Sequence, residues 1–129
     1  ELRNEALYYR AKAYTKQKAD KKAMEDYREL AKDTRNPYGA EAKYQVAQSL
    51  YDAKEYAAAE KELLNYIEQS TPHAYWLARS FVLLSDVYHA TGKDLDARQY
   101  LLSLQQNYQG NDDIESMIES RLSKLKVEN

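Results

Sequence analysis

Apolar and polar residues alternate along this chain with the helical period, in short blocks set apart by turns. From Asn4 to Gln17 the apolar stripe is Leu7, Tyr8, Ala11, Tyr14 and Thr15, at steps of three and four. From Asp20 to Lys32 it is Ala23, Tyr27, Leu30 and Ala31. Lys18 and Ala19 leave room between these two helices only for an antiparallel hairpin, and Asp20 is placed to cap the second. Asn36-Pro37 opens the next helix, because proline at the first helical position gives up an N–H that has no partner there anyway. That helix carries Tyr44, Ala47, Leu50 and Tyr51, and its successor Tyr56, Ala59, Leu63, Leu64, Tyr66 and Ile67. Thr71-Pro72 repeats the break. The fifth helix, about His73 to Ala90, is the most apolar, with Trp76, Phe81, Val82, Leu84, Val87 and Tyr88. Thr91-Gly92 closes it, glycine taking the left-handed turn without a Cβ clash, and a sixth helix runs from about Asp94 to Tyr108.

Beneath these stripes one pattern is written three times, at spacings of 36 and then 38. A small residue (Ala11, Ala47, Ser85) is followed three positions on by a bulky one (Tyr14, Leu50, Tyr88). Each second helix has an alanine (Ala23, Ala59, Ala97), then bulky residues at Tyr27, Leu63 and Leu101 and at Leu30, Tyr66 and Leu104. Two helices approach to about 8 Å only where small side chains meet at their crossing, which is the physical use of the alanines. Self-similarity at this period predicts stacked hairpins, with units at about 4–36, 37–72 and 73–110. After Gln109-Gly110 the pattern changes. Ile114, Met117, Ile118, Leu122 and Leu125 form one stripe over about 111–127, behind Asp112 and Glu115 in a variant capping box. A solitary amphipathic helix after the last unit is expected to cover the open end of the array.

Composition narrows the picture. Charged residues make up 31% and aliphatic and aromatic ones 43%, a globular balance, and no apolar run nears the roughly 18 residues of a membrane span. A net charge of −2 argues against a nucleic-acid binder. The charge is uneven: residues 1–35 carry ten Lys/Arg against seven Asp/Glu, while 36–72 carry three against six. Without cysteine there is no disulfide, thiolate nucleophile or zinc knuckle. The chain opens at Glu1 almost inside a helical pattern, as expected of a piece of a longer protein.

Alternating small and large residues on paired helices, with the alanine mid-way along the second, resemble the tetratricopeptide repeat. Leu84-Ser85, Tyr88, Gly92, Ala97, Leu101 and Leu104 give its best instance. Departures are plain: Leu7, Lys43 and Phe81 stand where the strongest consensus has tryptophan, and Lys18 and Lys54 stand where the turn glycine belongs. The units also exceed the common 34 residues, with Tyr38 and Trp76 in equivalent places just after the two prolines. Such lengthened units look like those of bacterial envelope members, the outer-membrane assembly lipoproteins and Tol coordinators. The resemblance implies an all-α fold of seven helices, a right-handed α-α superhelix of three hairpins plus a C-terminal capping helix. It implies a periplasmic or outer-membrane-associated scaffold, with a cytoplasmic one as the alternative.

In that family the first helix of each unit lines the concave surface. The implied inward positions are Glu5, Tyr8, Lys12 and Thr15, then Glu41, Tyr44, Gln48 and Tyr51, then Arg79, Val82, Asp86 and His89. Tyrosine offers a broad apolar face and one polar tip at little entropic cost, which suits a bound peptide. No cofactor or metal is expected: His89 and Asp86 share a helix face, but nothing at recognisable spacing completes a ligand set, and phosphate loops and serine elbows are absent. The expected function is non-catalytic binding of a protein or peptide. Alternatives are a spacer or dimerisation arm of a longer solenoid, with a homo-oligomer possible, and a glycan or small-ligand module that stacks sugars on the groove aromatics.

Overall fold

The computed structural model describes residues 2–69 and 71–125. The described residues are all-α, with seven helices and no strand: α1 (Leu2–Lys16), α2 (Asp20–Leu30), α3 (Pro37–Asp52), α4 (Tyr56–Glu68), α5 (Ala74–Ala90), α6 (Asp94–Asn107) and α7 (Ile114–Leu122). The helix pairs α1/α2, α3/α4 and α5/α6 are each joined by three residues, and each packs on the next pair. The odd helices also touch one another, α1 on α3, α3 on α5 and α5 on α7. Among the described residues the even helices do not approach each other in this way, and a side-chain ion pair, Arg28 to Glu62 at 3.7 Å, reaches from α2 to α4 instead. The array is therefore tighter along its odd helices.

The repeated positions are the core. Ala11, Ala47, Ala59, Ser85, Ala97, Leu63, Leu101 and Tyr66 are all at most 1% exposed. One apolar cluster runs from Ala11 and Ala23 through Leu50 and Leu63 to Leu83 and Tyr88. A second joins Val82, Leu101 and Leu104 to Ile114 and Ile118 of α7, so the last helix buries its stripe against the third hairpin. None of the helices is long and apolar enough to cross a membrane.

The three hairpin turns are the same. In each, the N–H two past the end of the first helix bonds back to the carbonyl of the repeat's bulky residue: Ala19 to Tyr14 at 2.8 Å, Glu55 to Leu50 at 2.9 Å and Lys93 to Tyr88 at 2.7 Å. This bond pattern needs a left-handed residue in the middle, and Lys18 (φ 60°), Lys54 (φ 62°) and Gly92 (φ 79°) supply it. A lysine there meets its own carbonyl through Cβ, at a cost of roughly 1–2 kcal/mol. Lys54→Gly is accordingly expected to raise stability by about 0.5–1 kcal/mol, net of glycine's freer unfolded chain, as a higher urea midpoint at unchanged slope.

Several helix ends differ from the sequence expectation. Asn36 does cap α3, its Oδ1 accepting from Tyr38 N at 2.9 Å with Pro37 at the first position. Asp20 does not cap α2; Ala19 holds that place and Asp20 is the first helical residue, its charge facing the positive end of the helix. Pro72 does not open α5, which starts two residues later behind His73. Thr71 is instead drawn to the preceding turn, donating to Thr34 O at 3.0 Å. The last helix is shorter than 111–127, running Ile114–Leu122, while 126 and 127 lie outside the described residues. Asp112 starts it by accepting from Ile114 N at 3.0 Å. Glu115 falls in the first turn, and no side-chain bond comes from Asp113 at the cap itself.

Candidate functional site

The tight face of the array carries all ten residues singled out in the sequence, and it gathers them into three junctions between odd helices. At the first, Tyr8 of α1 donates to Glu41 Oε1 of α3 at 2.8 Å, and Lys12 Nζ reaches Glu41 Oε2 at 3.1 Å. The Lys12 ammonium also lies over the Tyr8 ring, 5.0 Å from its centre. Tyr38, the aromatic after the Asn36-Pro37 turn, stacks on Tyr8 at 4.8 Å and donates to Glu5 at 3.4 Å. Burial raises the Tyr8 phenol, and Glu41 adds to the effect. Burial works against the charge on Lys12, yet its bonds to Tyr8 and Glu41 outweigh that and hold it above the usual lysine range.

The second junction repeats the first with different chemistry. Tyr44 stands 36 residues after Tyr8, and Trp76 and Arg79 stand 38 after Tyr38 and Glu41. Trp76 stacks on Tyr44 at 5.5 Å, as Tyr38 does on Tyr8. Arg79 Nη2 donates to the Tyr44 hydroxyl at 2.9 Å, where the first junction has a carboxylate accepting. Tyr44 passes its own proton to Gln48 Oε1 at 2.9 Å, and Gln48 donates to Asp52 at 2.9 Å. The other arm of Arg79 donates to Tyr75 at 3.0 Å, and Tyr75 donates to Asp113 at 2.9 Å, tying α5 to the loop before α7. The guanidinium carbon lies 4.9 Å from the Tyr44 ring centre and 5.9 Å from those of Tyr75 and Trp76. Its Nε is buried without a hydrogen-bond partner.

The third junction is made by α7. Arg121 Nε and Nη2 reach the two carboxylate oxygens of Asp86 at 3.3 and 3.4 Å. Burial raises the Asp86 carboxyl above its ordinary range, against the pull of Arg121, Lys124 and His89. His89 Nδ1 lies 2.9 Å from Asp94 Oδ1, across the third hairpin turn. Tyr51 meets Tyr56 edge to face at 5.5 Å, and burial with the nearby Asp86 raises its phenol.

These residues are not equally available to a partner. Glu41 and Tyr44 are buried, so the pocket-lining role expected of them is taken up inside the protein, as clasps between successive hairpins. Val82 is likewise buried. Glu5, Lys12, Thr15 and His89 are exposed, and Tyr8, Gln48, Tyr51, Arg79 and Asp86 are half-buried. Sequence reasoning missed Arg121, because its partner Asp86 lies 35 residues away with no repeat relation to suggest the pairing. It noted Tyr38 and Trp76 as equivalent without finding their rings on Tyr8 and Tyr44; the matching places of all four in the repeat were the available signal. Among the described residues no three His, Asp or Glu side chains gather as a metal site would require.

Compared with known proteins, the chain matches no family model and no curated sequence. What the face can do follows from its chemistry alone. Aromatic edges, one half-buried cation and exposed groups of both signs form a surface suited to holding a chain by contact and hydrogen bonds.

Proposed function

We propose that this chain is a non-catalytic scaffold of the tetratricopeptide type, whose odd-helix face holds an extended or helical segment of a partner protein. On this reading the three hairpins are repeat units of a right-handed superhelix, α7 covers their open end, and the odd helices line the concave side. The observation that carries it is the junction used twice, in which the aromatic after each unit's proline turn stacks on the preceding unit's tyrosine. That clasp belongs to the lengthened units that resemble envelope scaffolds, and a periplasmic or outer-membrane-associated setting goes with the same reading. Between the clasps, Lys12, Gln48, Tyr51 and His89 leave donors, acceptors and ring edges accessible along one side.

Peptide selection on the immobilised chain tests this. Peptides enriched on the native protein should bind a Tyr51→Ala, His89→Ala variant at least ~10-fold more weakly, a loss typical of removing a central aromatic contact. The same peptides should bind a Lys61→Glu variant, altered on the exposed side of α4, unchanged. Circular dichroism melts show whether each variant keeps its fold. Equal binding by the folded double variant, or no enrichment at all, defeats the groove reading and leaves the spacer as the function.

A further inference from the structure

The side of α1 turned away from its own hairpin is apolar and bare. Leu2, Ala6, Tyr9 and Ala13 follow one another at steps of four, three and four, which is one helical stripe. Leu2 is 84% exposed, Tyr9 59%, and both alanines are exposed. The stripe lies on the far side of the helix from Ala11, which is fully buried against α2. Its meaning comes from the repeat. The equivalent places in α5 are Trp76, Ser80, Leu83 and Val87; the last three are at most 2% exposed, and Leu83 and Val87 join the apolar cluster shared with the preceding hairpins. In α3 the equivalent of Ala6 is Ala42, also buried in that cluster. On α3 and α5, then, this face packs against a neighbouring helix, whereas on α1 its apolar residues stand in solvent.

We infer that a second copy of this chain covers it, α1 against α1 in an antiparallel pair about a two-fold axis. The stripe is complementary to itself in that arrangement. With the axis between residues 7 and 8, Leu2 faces Ala13 of the second copy and Ala6 faces Tyr9, so each large side chain meets a small one at all four places. A two-fold contact requires this kind of self-matching, because one patch must serve both partners. Charge agrees. Arg3 and Arg10, which flank the stripe on one side and would face their own copies, are already paired within the chain, to Glu29 at 3.7 Å and to Asp26 at 2.7 Å. On the other flank Glu5 and Lys12 have opposite signs, so the two copies bring unlike charges together. One helix per copy buries an area at the low end for protein pairs, so the dimer is a weak one, with a dissociation constant on the order of 10–100 μM. This surface is separate from the odd-helix face, and its test needs no partner peptide.

Sedimentation equilibrium of the chain from a few micromolar to several hundred should show a monomer passing into a dimer. Tyr9→Glu, at an exposed position, should keep the helical circular dichroism and remain monomeric throughout. Because the chain has no cysteine, pairing is read directly from Ala6→Cys and Tyr9→Cys proteins oxidised as a mixture. The antiparallel register predicts that the mixed disulfide outnumbers either symmetric one by several-fold. A native chain monomeric at the highest concentration, a dimer that survives Tyr9→Glu, or no excess of the mixed disulfide each overturns the proposal.

Discussion

Gly39→Ala is expected to destabilise this protein by about 3 kcal/mol or more, the range of a severely overpacked site. The direction runs against helix propensity, since alanine in a helix interior is normally better than glycine by about 1 kcal/mol. Gly39 is the third residue of α3, where that helix passes over the end of α2. A Cβ built there would overlap the carbonyl oxygen of Asp33 and lie 2.7 Å from that of Leu30. Both are backbone atoms, so no side-chain rotation relieves the clash. The helix start would have to lift from the turn, and with it the Asn36 cap and the contacts of Glu41 with Tyr8 and Lys12. Thermal unfolding followed by circular dichroism should show a fall of roughly 10 °C or more for a domain of this size. Gly92→Ala is the control: it has open space around Cβ and only the positive φ to strain, so its cost should stay near 1–2 kcal/mol. A Gly39→Ala protein as stable as the native one would mean that α3 does not pass this close to α2 in solution.

Arg79→Ala is expected to cost about 2–3 kcal/mol, and Arg79→Met to lie within about 1 kcal/mol of the native protein. Truncation removes a side chain that touches three rings and bonds two hydroxyls across the α3–α5 junction. It takes away stacking worth about 0.5–2 kcal/mol and leaves a gap against Tyr44 and Trp76. Tyr44 keeps its bond to Gln48 and Tyr75 its bond to Asp113, so the hydroxyls are not stranded. Methionine refills the aromatic cage with apolar volume and removes a guanidinium whose Nε is buried without a partner. Urea unfolding midpoints at constant slope separate the two outcomes. If methionine costs as much as alanine, the hydrogen bonds to the two phenols hold the junction, and the filled volume does not.

The helices and their core positions were legible in the chain because they rest on local physics. Steps of three and four place Leu7, Ala11 and Tyr14 on one side whatever surrounds them, and Asn36-Pro37 starts a helix by its own geometry. Threefold repetition then separated the small crossing residues from the bulky fillers, and every one of those alanines is buried. The inward face was legible as a set of positions. Its state was not. Glu41 and Tyr44 were expected to meet a partner and are buried within the protein, since whether an odd-helix side chain stays open depends on what the next hairpin sets opposite it.

The same physical reason runs through the rest. By itself the sequence determined seven helices, their order, their hairpin pairing and the residues that fill them, all consequences of periodicity and of turns too short to allow anything else. The tertiary structure alone decided that Lys18 and Lys54 take a glycine's backbone conformation, because the turn bond to Tyr14 or Leu50 is shared by the whole hairpin. It also decided that Gly39 is a point of near contact, that Arg121 closes on Asp86, and that Arg79 sits among three rings. Each of these depends on how far one hairpin is turned and shifted against the next, a quantity summed over many weak contacts between residues some 30 or more apart, and no local pattern encodes it.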